Sequence, residues 1–329
     1  MRVLCLFQLL LALAGSIALF KQLQIGHLPI GKRHLPGSPW SQTNPWLIRL
    51  YRASHRMSRL GWTIGLVIAL GIGLASGPIA PIALADEGTD LPLETRIQTA
   101  RSLFDQAFEA TNGGQFAQAE RYWTQILELF PNNAEIWSNR GNARASQNRL
   151  QEAIADYNEA ISRAPDAPDP YLNRGAAREN AGDFAGAIAD YNRVLELDPN
   201  DAAAYNNRGN AEAGLGQWET AVKDYAQAEI LAPDFAIARV NHALALFQVG
   251  DRPEALRLLR NLVRKYPTFA DARAALTAAL WDAGDRGEAE SQWVSVVGLD
   301  RRYKDLDWVA KTRRWPSAMV VALEKFLKL

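Results

Sequence analysis

The residues best placed to do chemistry recur as one mixed triplet: Asn139-Arg140-Gly141, Asn173-Arg174-Gly175 and Asn207-Arg208-Gly209. Sixteen residues after each arginine stands an aspartate: Asp156, Asp190 or Asp224. At the same interval outside these copies, the arginine place holds Gln106, His242 and Leu276, and the aspartate place holds Tyr122, Leu258 and Gln292. Arginine and aspartate therefore come and go together. A guanidinium and a carboxylate form a directional, bidentate pair. Exposed, such a pair contributes about 0–1 kcal/mol, and buried, its desolvation offsets the attraction. We expect Arg140–Asp156, Arg174–Asp190 and Arg208–Asp224 to clip two antiparallel helices within one unit, fixing registry with little net stabilisation.

The asparagines follow a different rule. Asn139, Asn173, Asn207 and Asn241 form a ladder at 34-residue steps that outlasts the arginines. Asn142 and Asn210 lie three residues further on, one helical turn along the same face. An amide offers donor and acceptor together, which matches a peptide unit whatever its side chains. The ladder is either a polar, solvated face or a row of partner-binding groups.

Reaction chemistry is poorly represented. Beyond residue 86 there is no cysteine and a single histidine, His242. No glycine-rich phosphate loop, metal-ligand cluster or nucleophile–histidine–acid set is found, so no catalytic residue, metal or cofactor is expected. A hydrolase using carboxylates alone is the remote alternative. Residues 1–85 carry eight Lys and Arg and no acidic residue, so all 36 acidic residues fall in 86–329 against 28 basic ones. That acidic body argues against nucleic acid as a partner.

The elements that position these residues are set by a period. Prolines 131, 165, 199, 233 and 267 are 34 residues apart, and alanines 119, 153, 187, 221, 255 and 289 keep the same step. Six units follow: 100–133, 134–167, 168–201, 202–235, 236–269 and 270–303. Within each, Gly114, Gly182, Gly216, Gly250 and Gly284, with Asn148 in the second unit, mark a turn between two short helices. The proline stops the second helix. Gly141, Gly175, Gly209 and the repeated alanine permit close helix approach. Phe116, Leu150, Phe184, Trp218, Trp123, Tyr157, Tyr191, Tyr225 and Trp293 fill the gaps. Such units bury their faces only against neighbours, as in a stacked solenoid.

Period, aromatic (Trp137, Tyr171, Tyr205), glycine, alanine, second aromatic and proline fall in the order of the tetratricopeptide repeat, which the chain resembles over residues 100–300. The resemblance implies an all-α, superhelical solenoid of six helix-turn-helix repeats. It also implies a concave groove, lined by first-helix positions such as those of the asparagines, that holds a protein or extended peptide. Units five and six depart from the pattern: Arg239 and Arg273 replace the first-helix aromatic, and Arg252 and Arg286 the turn aromatic. Either that end exposes a basic ridge or the arginine stems cover apolar surface. The family's clamp for a terminal carboxylate needs cations where this chain has Ser138, Ala203 and Asn207, so a chaperone adaptor of that kind is not expected in units two to four.

The ends lie outside the period. Residues 1–56 form an N-terminal extension with an apolar segment at 3–20, and 57–85 read as a signal peptide or membrane anchor. In the latter, Arg59 precedes the apolar run 65–77, and Ala-Leu-Ala at 83–85 offers a cleavage site. Met57 is a second candidate start. Residues 86–99 make a linker and the start of the first helix. Segment 304–329 is expected to cap the solenoid: Pro316 suits a first helical turn, and Met319, Leu323, Phe326 and Leu327 share a face. Trp308, Arg313, Arg314 and Trp315 would lead a docking segment in the other reading. The tail's DLDWV, RRWP and LEKFL stretches look similar to tails of cyanobacterial and chloroplast tetratricopeptide proteins. The expected function is a non-catalytic interaction scaffold, exported to a thylakoid lumen or periplasm and assisting a membrane-associated, photosynthetic complex. A general Gram-negative periplasmic scaffold is the alternative.

Overall fold

A computed structural model describes residues 91–328. The apolar segments at 3–20 and 57–85, and the proposed cleavage after Ala85, lie outside these residues. Among the described residues no helix is long and apolar enough to cross a membrane.

Twelve helices form six antiparallel pairs: α1 (Leu93–Asn112) with α2 (Phe116–Leu129), α3 (Ala134–Ser146) with α4 (Leu150–Arg163), and α5 (Pro168–Asn180) with α6 (Phe184–Leu197). The array continues with α7 (Ala202–Gly214) and α8 (Trp218–Leu231), α9 (Ala236–Val249) and α10 (Arg252–Lys265), and α11 (Ala270–Asp282) and α12 (Arg286–Leu299). Each turn has one residue in the left-handed region, the five expected glycines at φ +71° to +97° and Asn148 at φ +60°. Side chains of Asn133, Asp183, Asp201 and Asp251 accept from amides at helix starts, satisfying donors that have no partner within the helix.

Packing within a pair depends on two columns. The six periodic alanines are all 0% exposed. One turn further along the same helices, Tyr157, Tyr191 and Tyr225 lie so close to Gly141, Gly175 and Gly209 that an added Cβ would sit 2.6–2.9 Å from a ring carbon. From the second unit on, successive first helices approach one another more closely than successive second helices do. The first helices therefore form the inner wall of the array.

After α12 come a 3-10 turn (Arg301–Lys304), α13 (Leu306–Lys311) and α14 (Ser317–Leu327). Pro316 stands at the boundary of α14 and not in its first turn. This tail turns onto the inner wall, where α14 packs on α11 and reaches α9. Phe326 meets Trp281 and Trp293 edge-on at 5.5 and 5.3 Å, and the Ala318 amide donates to Gln248 Oε1 at 2.9 Å. Met319, Leu323 and Phe326 are buried, and Leu327 only partly so. Covered from both sides, α11 buries nearly every residue from Asp271 to Leu280, whereas α3, α5 and α7 leave most of their residues partly exposed. Asp271 anchors the tail by accepting from Tyr303 Oη at 2.6 Å, Trp315 Nε1 at 3.1 Å and the Arg313 guanidinium. Trp315 and Arg313 thus hold the cap in place and are not presented to an outside partner.

Gly175→Ala should destabilise the array by about 1–3 kcal/mol, because the Tyr191 ring cannot retreat from the new methyl group without disturbing the pair. Gly298→Ala, whose Cβ would meet nothing within 4 Å, should be neutral or mildly stabilising in the same urea titration.

Candidate functional site

The inner wall holds the candidate site, and the arginine pairs determine how rigidly it is held. Arg140 donates to Asp156 from Nε and Nη2 at 2.9 and 2.8 Å, and Arg208 donates to Asp224 at 2.6 and 2.8 Å. Arg174 holds Asp190 through Nε at 3.0 Å and Nη2 at 2.5 Å. The three aspartates are 2%, 2% and 7% exposed, so these are buried pairs.

The remaining nitrogen, Nη1, leaves the unit. It reaches Thr124 Oγ1 at 3.5 Å, Asn158 Oδ1 at 2.6 Å and Asn192 Oδ1 at 2.7 Å, each on the second helix of the preceding unit. Each guanidinium also lies over the aromatic ring three residues earlier, 4.6–5.5 Å from the centroids of Trp137, Tyr171 and Tyr205. The clip accordingly joins units as well as helices, a wider role than pairing within one unit.

The network changes in the fourth unit. Arg144 and Arg178 add second contacts to Asp156 and Asp190, both at 2.9 Å. The corresponding place 34 residues on holds Glu212, whose Oε2 is buried without a hydrogen-bond partner. Burial, and then the neighbouring Asp224 charge, raise its carboxyl to about 7 against the Arg208 attraction.

In the fifth unit the pair is replaced by Glu229 of the preceding unit, which meets His242 Nδ1 and Arg239 Nε, each at 3.0 Å. The His242 hydrogen bond is the main cause holding Glu229 below the usual carboxylate range. No basic ridge results from the four substituting arginines. Arg252 and Arg286 lie over Phe247 and Trp281 at 5.2 and 5.1 Å. Arg273 donates to the Pro267 carbonyl, as Trp137 and Tyr171 do to the Pro131 and Pro165 carbonyls.

The asparagine ladder divides into two parts. Asn142 and Asn210 accept from the hydroxyls of Tyr157 and Tyr225 at 2.8 and 2.9 Å. Asn207 is buried and accepts from Asn206 at 3.1 Å. Asn241 donates to Asn206 and Asn210 at 3.0 and 3.2 Å. Asn142, Asn207, Asn210 and Asn241 are thus engaged within the array, Asn142 and Asn210 by tyrosine hydroxyls and Asn207 and Asn241 by neighbouring asparagines. Asn139 and Asn173 are half-buried, and their amides make no hydrogen bond among the described residues.

Glu179 and Asn180, near the end of α5, were not singled out by the sequence reading. Glu179 Oε2 accepts from Tyr191 Oη at 3.1 Å, and Oε1 accepts from Arg314 Nη1 at 2.8 Å. Arg314 Nη2 reaches Asn180 Oδ1 at 3.3 Å. Burial raises the Glu179 carboxyl, while the Arg314 charge and the Tyr191 hydroxyl work in the other direction. The available signal was Ala176, which stands where Asn142 and Asn210 serve the tyrosines of their units. Among the described residues no three His, Cys, Asp or Glu side chains gather to hold a metal ion.

Models of the tetratricopeptide repeat match residues 104–168 and 240–300, and a further TPR repeat model matches 180–214. A tetratricopeptide repeat protein from Parabacteroides merdae ATCC 43184 aligns with TM-score 0.54 at 19% identity, over 70% of this chain and 100% of its own. The APC/C hetero-tetramer Cut9–Hcn1 aligns with TM-score 0.55 at 15% identity, over 71% of this chain and 46% of that one. Both likenesses concern the fold alone. YrrB, described as a TPR protein with an unusual peptide-binding site, gives a TM-score of 0.46 at 19% identity, over 62% and 97% of the two chains. No curated protein matches the chain.

Arg174→Ala leaves the buried Asp190 with Arg178 as its remaining cation, and should cost about 1–3 kcal/mol in urea denaturation. Joint replacement by Arg174→Met and Asp190→Leu should cost less than half of that. Glu212 binds its proton more tightly in the native state than the ordinary carboxyl of the unfolded chain does, so stability falls as pH rises from about 4.5 to about 7. Melting curves across pH should show Glu212→Gln equal to wild type below pH 4.5 and more stable above pH 7.

Proposed function

From a chain that carries tetratricopeptide repeats, we propose a non-catalytic scaffold that holds a protein or extended peptide against the inner wall of units two and three. Proteins of this kind bind peptides or proteins, and the inner wall here has one open stretch. The observation carrying the reading is the pair Asn139 and Asn173, one repeat apart and unengaged, beside amides bonded within the array. Their donor and acceptor groups suit a peptide backbone running along the wall. Units five and six are excluded from this role by the tail that covers them.

The proposal extends to location. The basic start, apolar run and Ala-Leu-Ala order of residues 57–85 support export, with the repeat array assisting a membrane-associated complex. The tail's DLDWV and RRWP stretches favour a thylakoid lumen or cyanobacterial periplasm, and a photosynthetic client, over a general Gram-negative periplasm. N-terminal sequencing of the mature form should read Asp86 first; a start upstream of residue 57 would count against export by this signal.

Affinity capture from native membranes separates the two classes of asparagine. Asn139→Ala with Asn173→Ala should weaken capture about tenfold, at about 0.5–1.5 kcal/mol per lost hydrogen bond, with melting unchanged. Asn207→Ala with Asn241→Ala should instead cost about 1–3 kcal/mol of stability for each amide left unpaired. Undiminished capture by the first variant would contradict the reading.

A further inference from the structure

One buried charge on the inner wall is not required by the repeat. The column at 34-residue steps through Glu179 otherwise holds Thr111, Ala145, Ala213, Phe247 and Trp281. Small or apolar residues thus serve the same place in every other unit. Glu179 is nonetheless 9% exposed. An isolated carboxylate buried to that degree is costly unless a cation or several donors meet it.

The group that meets it comes from 135 residues away in the chain. Arg314 spreads its guanidinium over two acceptors, Glu179 Oε1 at 2.8 Å and Asn180 Oδ1 at 3.3 Å. Tyr191 Oη supports the far carboxylate oxygen at 3.1 Å. A planar fork satisfies a carboxylate and an amide oxygen at once, whereas an ammonium is a single point of charge.

Arg314 is held less firmly than its neighbours. Its backbone lies at φ +55°, a left-handed conformation costing about 1–2 kcal/mol for a residue with a Cβ. Its side chain is 48% exposed, against 16% for Arg313. The cap depends on Asp271, which Tyr303, Arg313 and Trp315 all reach, and on the α14 packing; neither involves Arg314. The side-chain contact at Glu179 is therefore separable from the cap.

We propose that Glu179 and Asn180 form a binding site for an arginine side chain of the partner, and that Arg314 occupies it as a latch until that arginine displaces it. This rests on the scaffold reading above and adds the chemical class of the partner, a segment presenting arginine. The acidic balance of residues 86–329 favours such a segment electrostatically.

The test uses the full chain and N-acetyl-argininamide as probe, by isothermal titration. Arg314→Ala should bind the probe saturably and at least tenfold more tightly than wild type. Arg314→Gly, which also removes the φ penalty, should behave alike. Adding Glu179→Gln to either variant, with melting curves checking the fold, should abolish binding. N-acetyl-lysinamide should bind Arg314→Ala at least fivefold more weakly. No saturable binding to either opened variant, binding that survives Glu179→Gln, or equal affinity for the lysine probe would each overturn the assignment. Continued membrane capture by Arg314→Ala in the absence of probe binding would sink the arginine site alone and leave the scaffold reading standing.

Discussion

The contact between a glycine on each first helix and a tyrosine ring on its partner sets the geometry of the central units. Gly175 admits Tyr191 at a separation that leaves no room for a methyl group, and the neighbouring units repeat the arrangement. Helices this close exclude water from the seam, so the aspartate beside it cannot remain solvated. The arginine that meets it is the physical answer to that burial, and its planar fork gives the pair direction. Because the third guanidinium nitrogen reaches the preceding unit, the same residue that satisfies one seam also ties its unit to the one before it.

The wall is chemically divided along its length. Units five and six carry Val240, Leu244, Phe247, Ala274, Ala275 and Ala278 toward the inside, and the tail helix covers them as an apolar core would be covered. Unit four is closed in a different way, by asparagines bonded to one another. Units two and three keep unengaged amides, and beside them a carboxylate whose only cationic partner comes from the far end of the chain. A surface that is polar, amide-lined and acidic suits an extended, basic segment better than an apolar helix. The covered end gives such a segment a boundary.

The periodic part of this arrangement was legible in the sequence, because a contact within a unit or to the next unit repeats every 34 residues. Alanine, glycine and tyrosine columns gave the helix pairs, and the joint occurrence of arginine and aspartate gave their pairing. The reach of Nη1 to Thr124, Asn158 and Asn192 was not read, since a threonine and two exposed asparagines in that column look like ordinary surface residues. The internal bonding of the asparagine ladder was not read for a related reason. Asn206 lies one place off the ladder and has no counterpart in other units, yet it takes up both Asn207 and Asn241. What period cannot convey is the path of a segment without period. Arg314 and Glu179 are 135 residues apart, and only the folded tail brings them together.

The central claim is that the open inner wall receives a partner where Arg314 rests in the free protein. A photo-crosslinking amino acid placed at the exposed Ala181, beside Asn180, in the full chain reports on both states. The account predicts an intramolecular crosslink to the tail around residues 313–316 in the free protein, replaced by a crosslink to the captured partner when one is bound. Absence of the tail crosslink in the free protein, or its persistence unchanged with partner bound, would contradict the account.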